Sequence, residues 1–177
     1  MMPIAAPSDA PAQPFAVTFV CSGNICRSPM AELIFRRLAA AAGLEHALHI
    51  SSSATGDWHV GERADSRTVD SLARHGLDGS AHRARKFQPE HFREFDLVVA
   101  LDRSHDRVLR AWAPGPEDAD KVALLLSFDP AQAHLADVPD PYYADDAVFD
   151  AVFGMIEGAC IQLFRQIQPA IQQGAPR

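Results

Sequence analysis

Cations and cysteines are scarce in this chain. Sixteen Lys and Arg stand against 23 Asp and Glu in 177 residues, a formal net charge of −7. A general polyanion binder needs a basic surface, so nucleic acid is not an expected partner. Three cysteines cannot close a disulfide framework without one left over, which argues against a stapled secreted module. They lack zinc spacing and the eight histidines are scattered, so neither a metal nor a cofactor is expected. No run of 18 or more apolar residues occurs, and no membrane span is expected. Residues 1–14 (MMPIAAPSDAPAQP) lack the basic start and apolar run of a secretory signal. They read as a disordered tail ahead of one domain over 15–177. A cytoplasmic monomer is the expectation.

Apolar residues are plentiful at 47%, enough for a sizeable core. Phe15–Val20 is short, apolar and β-branched, the pattern of a strand buried on both faces. Further strands are predicted at Ala47–Ser53, Asp96–Leu101 and Val122–Phe128. Helices are predicted from Ser28 as N-cap with Pro29 in the first position, over 65–75, over Ser104–Trp112 and over Asp145–Gln168. Gly43 and Gly76 mark stops. Strands separated by helices predict an α/β fold: a small four-stranded parallel twisted sheet with helices on both faces. Ligands then bind beyond the carboxyl ends of the strands. The loop after the first strand is the first place to look for chemistry.

That loop reads Cys21-Ser22-Gly23-Asn24-Ile25-Cys26-Arg27-Ser28. A helix N-terminus offers unpaired N–H groups and partial positive charge. Gly23 permits a turn, and a curled backbone can aim successive N–H groups at an oxyanion. Arg27 supplies a planar fork for two phosphate oxygens. A cysteine in such a field is a nucleophile. Cys-x5-Arg alone recurs by chance, as a buried cysteine beside a surface arginine. Its position between an apolar strand and Ser-Pro marks a phosphate-binding loop.

Residues 20–32, VCSGNICRSPMAE, resemble the signature of the low molecular weight protein tyrosine phosphatases. The resemblance continues through Ser53-Ala54-Thr55, Trp58-His59-Val60-Gly61, His75-Gly76-Leu77, His82-Arg83-Ala84-Arg85 and Asp140-Pro141-Tyr142-Tyr143, in order over about 15–168. It implies hydrolysis of phosphotyrosine, on a protein or a small aryl phosphate, through a phosphocysteine on Cys21. Asp140 would be the general acid, although Asp-Pro on its own also reads as a turn initiator. Trp58, Tyr142 and Tyr143 would wall a slot for a flat ring. Ser28 would hydrogen-bond the Cys21 thiolate, Asn24 would brace the loop with a strained backbone, and His82 would support it from beneath. Asp102 would brace the structure. Leu101-Asp102-Arg103-Ser104-His105 departs from the family, which more often has Met-Asp and an Asn after the Ser.

Two other activities share this loop. Arsenate reduction needs further redox cysteines near 80–92, where this chain has none, leaving Cys160 to serve. Phosphoarginine hydrolysis is associated with Thr after the loop Asn, where Ile25 stands here. Cys26 follows Cys21 by five positions, and peroxide is expected to drive a reversible Cys21–Cys26 disulfide. Residues 137–150 carry five Asp and no Lys or Arg, so an acidic surface is expected around the Asp140 loop.

Overall fold

The computed structural model describes residues 13–174. The predicted tail over 1–14 therefore lies almost wholly outside the described residues. Four strands, β1 (Phe15–Cys21), β2 (Leu48–Ala54), β3 (Leu97–Ala100) and β4 (Val122–Leu124), form one parallel sheet in the order β2-β1-β3-β4. Five helices join them: α1 (Arg27–Ala41), α2 (Ser66–Arg74), α3 (Arg103–Trp112), α4 (Pro116–Ala119) and α5 (Asp146–Gln172).

β1 is central and alternates faces, as a strand's period of two requires. Val17, Phe19 and Cys21 join the core formed with α1 and α5, where Phe35 packs edge-on against Phe19 and Phe164. Ala16 and Val20 join a smaller core with Phe87, Phe92, Val98 and Leu109 on the opposite face. The chain leaves β1 toward β2 and later returns on the other side to β3. The crevice between β1 and β3 is thus a topological switch point, and the loops after both strands meet there.

Three boundaries differ from the sequence expectation by more than one residue. The N-cap of α1 is Cys26, not Ser28, and its side chain makes no cap bond. Ser28 lies inside the first turn because its hydroxyl is engaged with Cys21 and Asn24. Pro29 fits there since first-turn N–H groups have no helical acceptor. The fourth strand stops at Leu124 and tightens into a 3-10 turn over Leu125–Phe128, burying Leu125 and Leu126. α5 runs through Pro169 to Gln172. The proline costs one backbone bond near the helix end, and the turn still closes with Gln173 N–H on Pro169 O at 3.2 Å.

α5, at 27 residues, is long and apolar enough to cross a membrane by length and composition, a point that counting unbroken apolar runs does not reveal. Phe149, Val152, Phe153, Ile156, Ala159, Cys160, Leu163 and Phe164 of this helix are buried in the core.

Candidate active site

Cys21 is the last residue of β1, and the turn that follows folds over the carboxyl end of the sheet. Asn24 sits at φ 57°, the left-handed region, with no exposed surface. Asn tolerates that region better than most residues. Its side chain holds the turn from within. Nδ2 donates to Ser28 Oγ at 2.8 Å and to Ser52 Oγ at 2.9 Å, and Oδ1 accepts the Arg85 N–H at 3.0 Å. The Ser52 hydroxyl donates to buried Glu32 at 2.5 Å, which leaves its oxygen free to accept from Asn24. His82 Nε2 donates to Asn24 O at 2.7 Å from below. Burial holds the His82 ring below the usual histidine range, consistent with a neutral donor. Gly23 allows a close approach, since a Cβ there would stand 2.9 Å from His59 Cδ2 and the ring would have to shift.

The curled backbone leaves donors unspent. Among the described residues, the N–H groups from Gly23 to Cys26 donate to no protein acceptor. A buried unpaired N–H is costly, so such a set is a seat for an anion. Ser28 Oγ lies 2.9 Å from Cys21 Sγ. With the Asn24 amide donating into that oxygen, the Ser28 proton is left for sulfur or for Ser53 O, and the carbonyl, at 3.4 Å, is the farther of the two.

Arg27 is 2% exposed. Its Nη1 donates to Asp102 Oδ2 at 2.8 Å and to Val138 O at 2.9 Å. Asp102 follows β3 and caps α3 through Ser104 N–H and His105 N–H. Burial pushes the Asp102 carboxyl up, but hydrogen bonds from Ser104 and Arg27 and the charges of His105 and Arg27 outweigh it, holding it at about 2. The second guanidinium nitrogen, Nη2, points past this anchor and lies 3.6 Å from Asp140 Oδ2.

These groups surround a cavity of about 350 Å³. Its floor is the Cys21 loop, and Trp58, His59, Asp140, Tyr142 and Tyr143 form its walls. Trp58 is 69% exposed and Tyr143 94%, so neither is a core residue. Asp140 turns the chain by accepting the Tyr142 N–H at 3.2 Å, so the turn-initiator reading of Asp-Pro holds alongside its place in the pocket. The residues that the family resemblance assigned to catalysis, binding and support thus lie at the pocket or directly against its loop.

A model of the low molecular weight phosphotyrosine protein phosphatase family matches residues 16–173. The chain belongs to this family. It is 49% identical over 159 residues to a low molecular weight protein-tyrosine-phosphatase of Streptomyces coelicolor, covering 89% of this chain and 96% of that one. It is 44% identical over 164 residues to low molecular weight protein-tyrosine phosphatase A of Mycobacterium tuberculosis, covering 92% and 98%. The crystal structure of YfkJ from Bacillus subtilis superposes with a TM-score of 0.81 at 38% identity, covering 89% of this chain and 96% of that one.

Several residues of this low molecular weight phosphatase escaped the sequence reading. Glu32 and Ser52 stand behind Asn24, Val138 O anchors Arg27, and His105 touches Ser22. Arg67 of α2 donates to Tyr142 O at 2.8 Å and Ala144 O at 2.9 Å, clamping the Asp140 loop, and is itself paired with Asp65 at 2.9 Å. The Asp65 N–H in turn donates to Ile25 O at 2.9 Å, tying the two loops together. Each is a common residue type with no diagnostic spacing. The acidic surface expected over 137–150 is paired off in part, two of its five Asp being neutralised: Asp137 by Arg103 and Asp150 by Arg74, each at 2.9 Å. Cys160 is fully buried in α5, and its closest polar contact is Ala31 O at 4.0 Å. It does not line the pocket, so it is not placed to serve as the further redox thiol that arsenate reduction needs.

Proposed function

We propose that the chain is a protein-tyrosine phosphatase that hydrolyses phosphotyrosine and related aryl phosphate monoesters through a phosphocysteine intermediate. The observation that carries this reading is the Cys21 thiol at the floor of a pocket ringed by unspent N–H groups and Arg27. Those donors match the equatorial oxygens of a phosphoryl group in flight, where they count most. Cys21 sulfur attacks phosphorus as the bond to the phenolic oxygen breaks. Asp140 gives its proton to that leaving oxygen. As a carboxylate it then takes a proton from the water that attacks phosphorus, releasing inorganic phosphate and the Cys21 thiolate. The Ser28 hydroxyl, 2.9 Å from sulfur, stabilises the thiolate as it leaves.

The walls support an aryl substrate. A flat ring stands between Trp58, Tyr142 and Tyr143 with its phosphate on the floor, whereas the short phosphoserine side chain leaves its phosphate high in the slot. A working catalytic thiol fits a reducing compartment, which supports a cytoplasmic location. We take 15–177 as one catalytic domain, acting as a monomer.

The test is release of para-nitrophenol from its phosphate ester in the presence of chelator. Cys21→Ser is expected to remove turnover and, with Asp140→Ala beside it, to retain phosphotyrosine peptide in a pull-down. Turnover undiminished in Cys21→Ser would overturn the mechanism.

A further inference from the structure

We propose that His105 is a positioning residue that acts through Ser22: its Nε2–H donates to Ser22 Oγ and turns the Ser22 hydroxyl proton into the phosphate seat. This rests on reading the Cys21 loop as that seat. His105 belongs to the first turn of α3, beyond β3, and reaches across the switch point to the loop after β1. It is 1% exposed, and its Nε2 lies 2.8 Å from Ser22 Oγ.

The ring's other contacts decide which nitrogen carries the proton. The Asp102 backbone N–H points at Nδ1 from 3.2 Å, so Nδ1 is an acceptor. The alternative, an Nδ1–H on Asp102 Oδ1, competes with three donors already on that oxygen: Ser104 N–H, Ser104 Oγ–H and His105 N–H. The proton therefore sits on Nε2 and faces Ser22. A second proton on the ring meets the Asp102 N–H on one side and the Arg27 guanidinium, 3.5 Å away, on the other. Burial and the Arg27 charge accordingly hold the ring at about 4, against an ordinary 6.5, so it is a neutral donor in working conditions.

A hydroxyl that accepts a hydrogen bond still has its own proton to give. Among the described residues, His105 is the one side chain that bonds Ser22 Oγ, and Ser22 lines the pocket. The Ser22 proton therefore points at a bound phosphoryl oxygen, adding a side-chain donor to the backbone set. Because Nε2 also carries hydrogen, it offers Arg27 Nη2 no acceptor. That nitrogen stays directed into the pocket.

The experiment is a double-substitution cycle of Ser22→Ala and His105→Ala, read as kcat/KM on para-nitrophenyl phosphate and as competitive inhibition by inorganic phosphate. Each single change is expected to weaken both about tenfold, the order of one hydrogen bond to a charged group. The double variant should be no weaker than Ser22→Ala. His105→Gln, whose amide nitrogen reaches the place of Nε2, should restore activity only when Ser22 is present. Losses that multiply in the double variant, or His105→Gln no better than His105→Ala, would overturn the proposal. The tautomer is read independently in the wild-type enzyme by long-range proton–nitrogen correlation of the His105 ring. A proton on Nδ1 would refute the assignment even if the alanine variant fails to fold. A wild-type enzyme that leaves para-nitrophenyl phosphate untouched would instead overturn the functional reading.

Discussion

Replacing Asn24 separates what its side chain contributes from what its backbone costs. The side chain makes three hydrogen bonds, to Ser28, Ser52 and the Arg85 N–H, all within a buried turn. At about 1 kcal/mol each they contribute about 3 kcal/mol. Both Asn24→Ala and Asn24→Gly lose that amount. They differ in the backbone, because Asn24 holds φ 57°. Alanine keeps a Cβ at that angle, as asparagine does, and with it strain of about 1–2 kcal/mol, whereas glycine relieves the strain and returns part of the gain as unfolded-chain entropy. Alanine is therefore expected to cost about 3 kcal/mol and glycine about 2. With a urea slope of about 2 kcal/mol per molar, the unfolding midpoint falls by about 1.5 M and about 1 M respectively. Equal midpoints for the two variants would refute the backbone argument. Losses below about 1 kcal/mol in both would refute the hydrogen-bond argument.

Asp140→Asn is expected to lower kcat on phenyl phosphate by about 100-fold and on para-nitrophenyl phosphate by less, since the nitrophenolate needs little protonation. Arg67→Met, which releases the Tyr142 and Ala144 carbonyls, should show the same leaving-group dependence more weakly. Stability should fall in two stages on acidification, measured by urea unfolding at each pH. His105 titrates at about 4 in the fold against an ordinary 6.5, so the unfolded chain takes the proton first and stability declines from about pH 6.5 to about 4. That slope should shrink in His105→Gln, the remainder belonging to His82, which burial also holds low. Asp102 is held at about 2 against an ordinary 3.8, so its contribution is present above that range and lost from about pH 4 to about 2. Asp102→Asn should shrink this second stage, the remainder coming from Asp65, Asp137 and Asp150, which hydrogen bonds also hold low. Peroxide should convert Cys21 to a sulfenic acid, which condenses with the Cys26 thiol to a disulfide and water. Burial pushes the Cys26 thiol up to about 12, so it enters that step as a thiol. In Cys26→Ser, activity lost to peroxide should no longer return with dithiothreitol, and the mass of Cys21 should show further oxygen.

The parts of the site that could be read early are those whose residues are neighbours in the chain. Cys21 to Ser28 is one turn, and its strand and helix flanks are visible as an apolar run and a 3.6-residue stripe. Asp140 was legible only through the resemblance of its four-residue unit, because Asp-Pro also begins ordinary turns. Here it does both. The fourth strand was overextended for a related reason: VALLLSF is apolar whether it pairs in the sheet or turns into the core, and periodicity does not separate the two. Ser28 looked like a cap because Ser-Pro often starts a helix, yet a tertiary partner, the Cys21 sulfur, claims its hydroxyl.

By itself the sequence determined an α/β chain with a thiol and a guanidinium on one loop after a buried strand. Local geometry makes that so, since five residues between a strand end and a helix start cannot carry Cys21 and Arg27 far apart. Tertiary structure alone decided how they are held. The switch point brings the loops after β1 and β3 together, so Arg27 finds Asp102, 75 positions away, and Ser22 finds His105, 83 positions away. Asp102 and Asp140 reach the same guanidinium from two different loops. No spacing in the chain encodes such pairings. They follow from the parallel order β2-β1-β3-β4, which sets side by side strand ends that are remote in sequence.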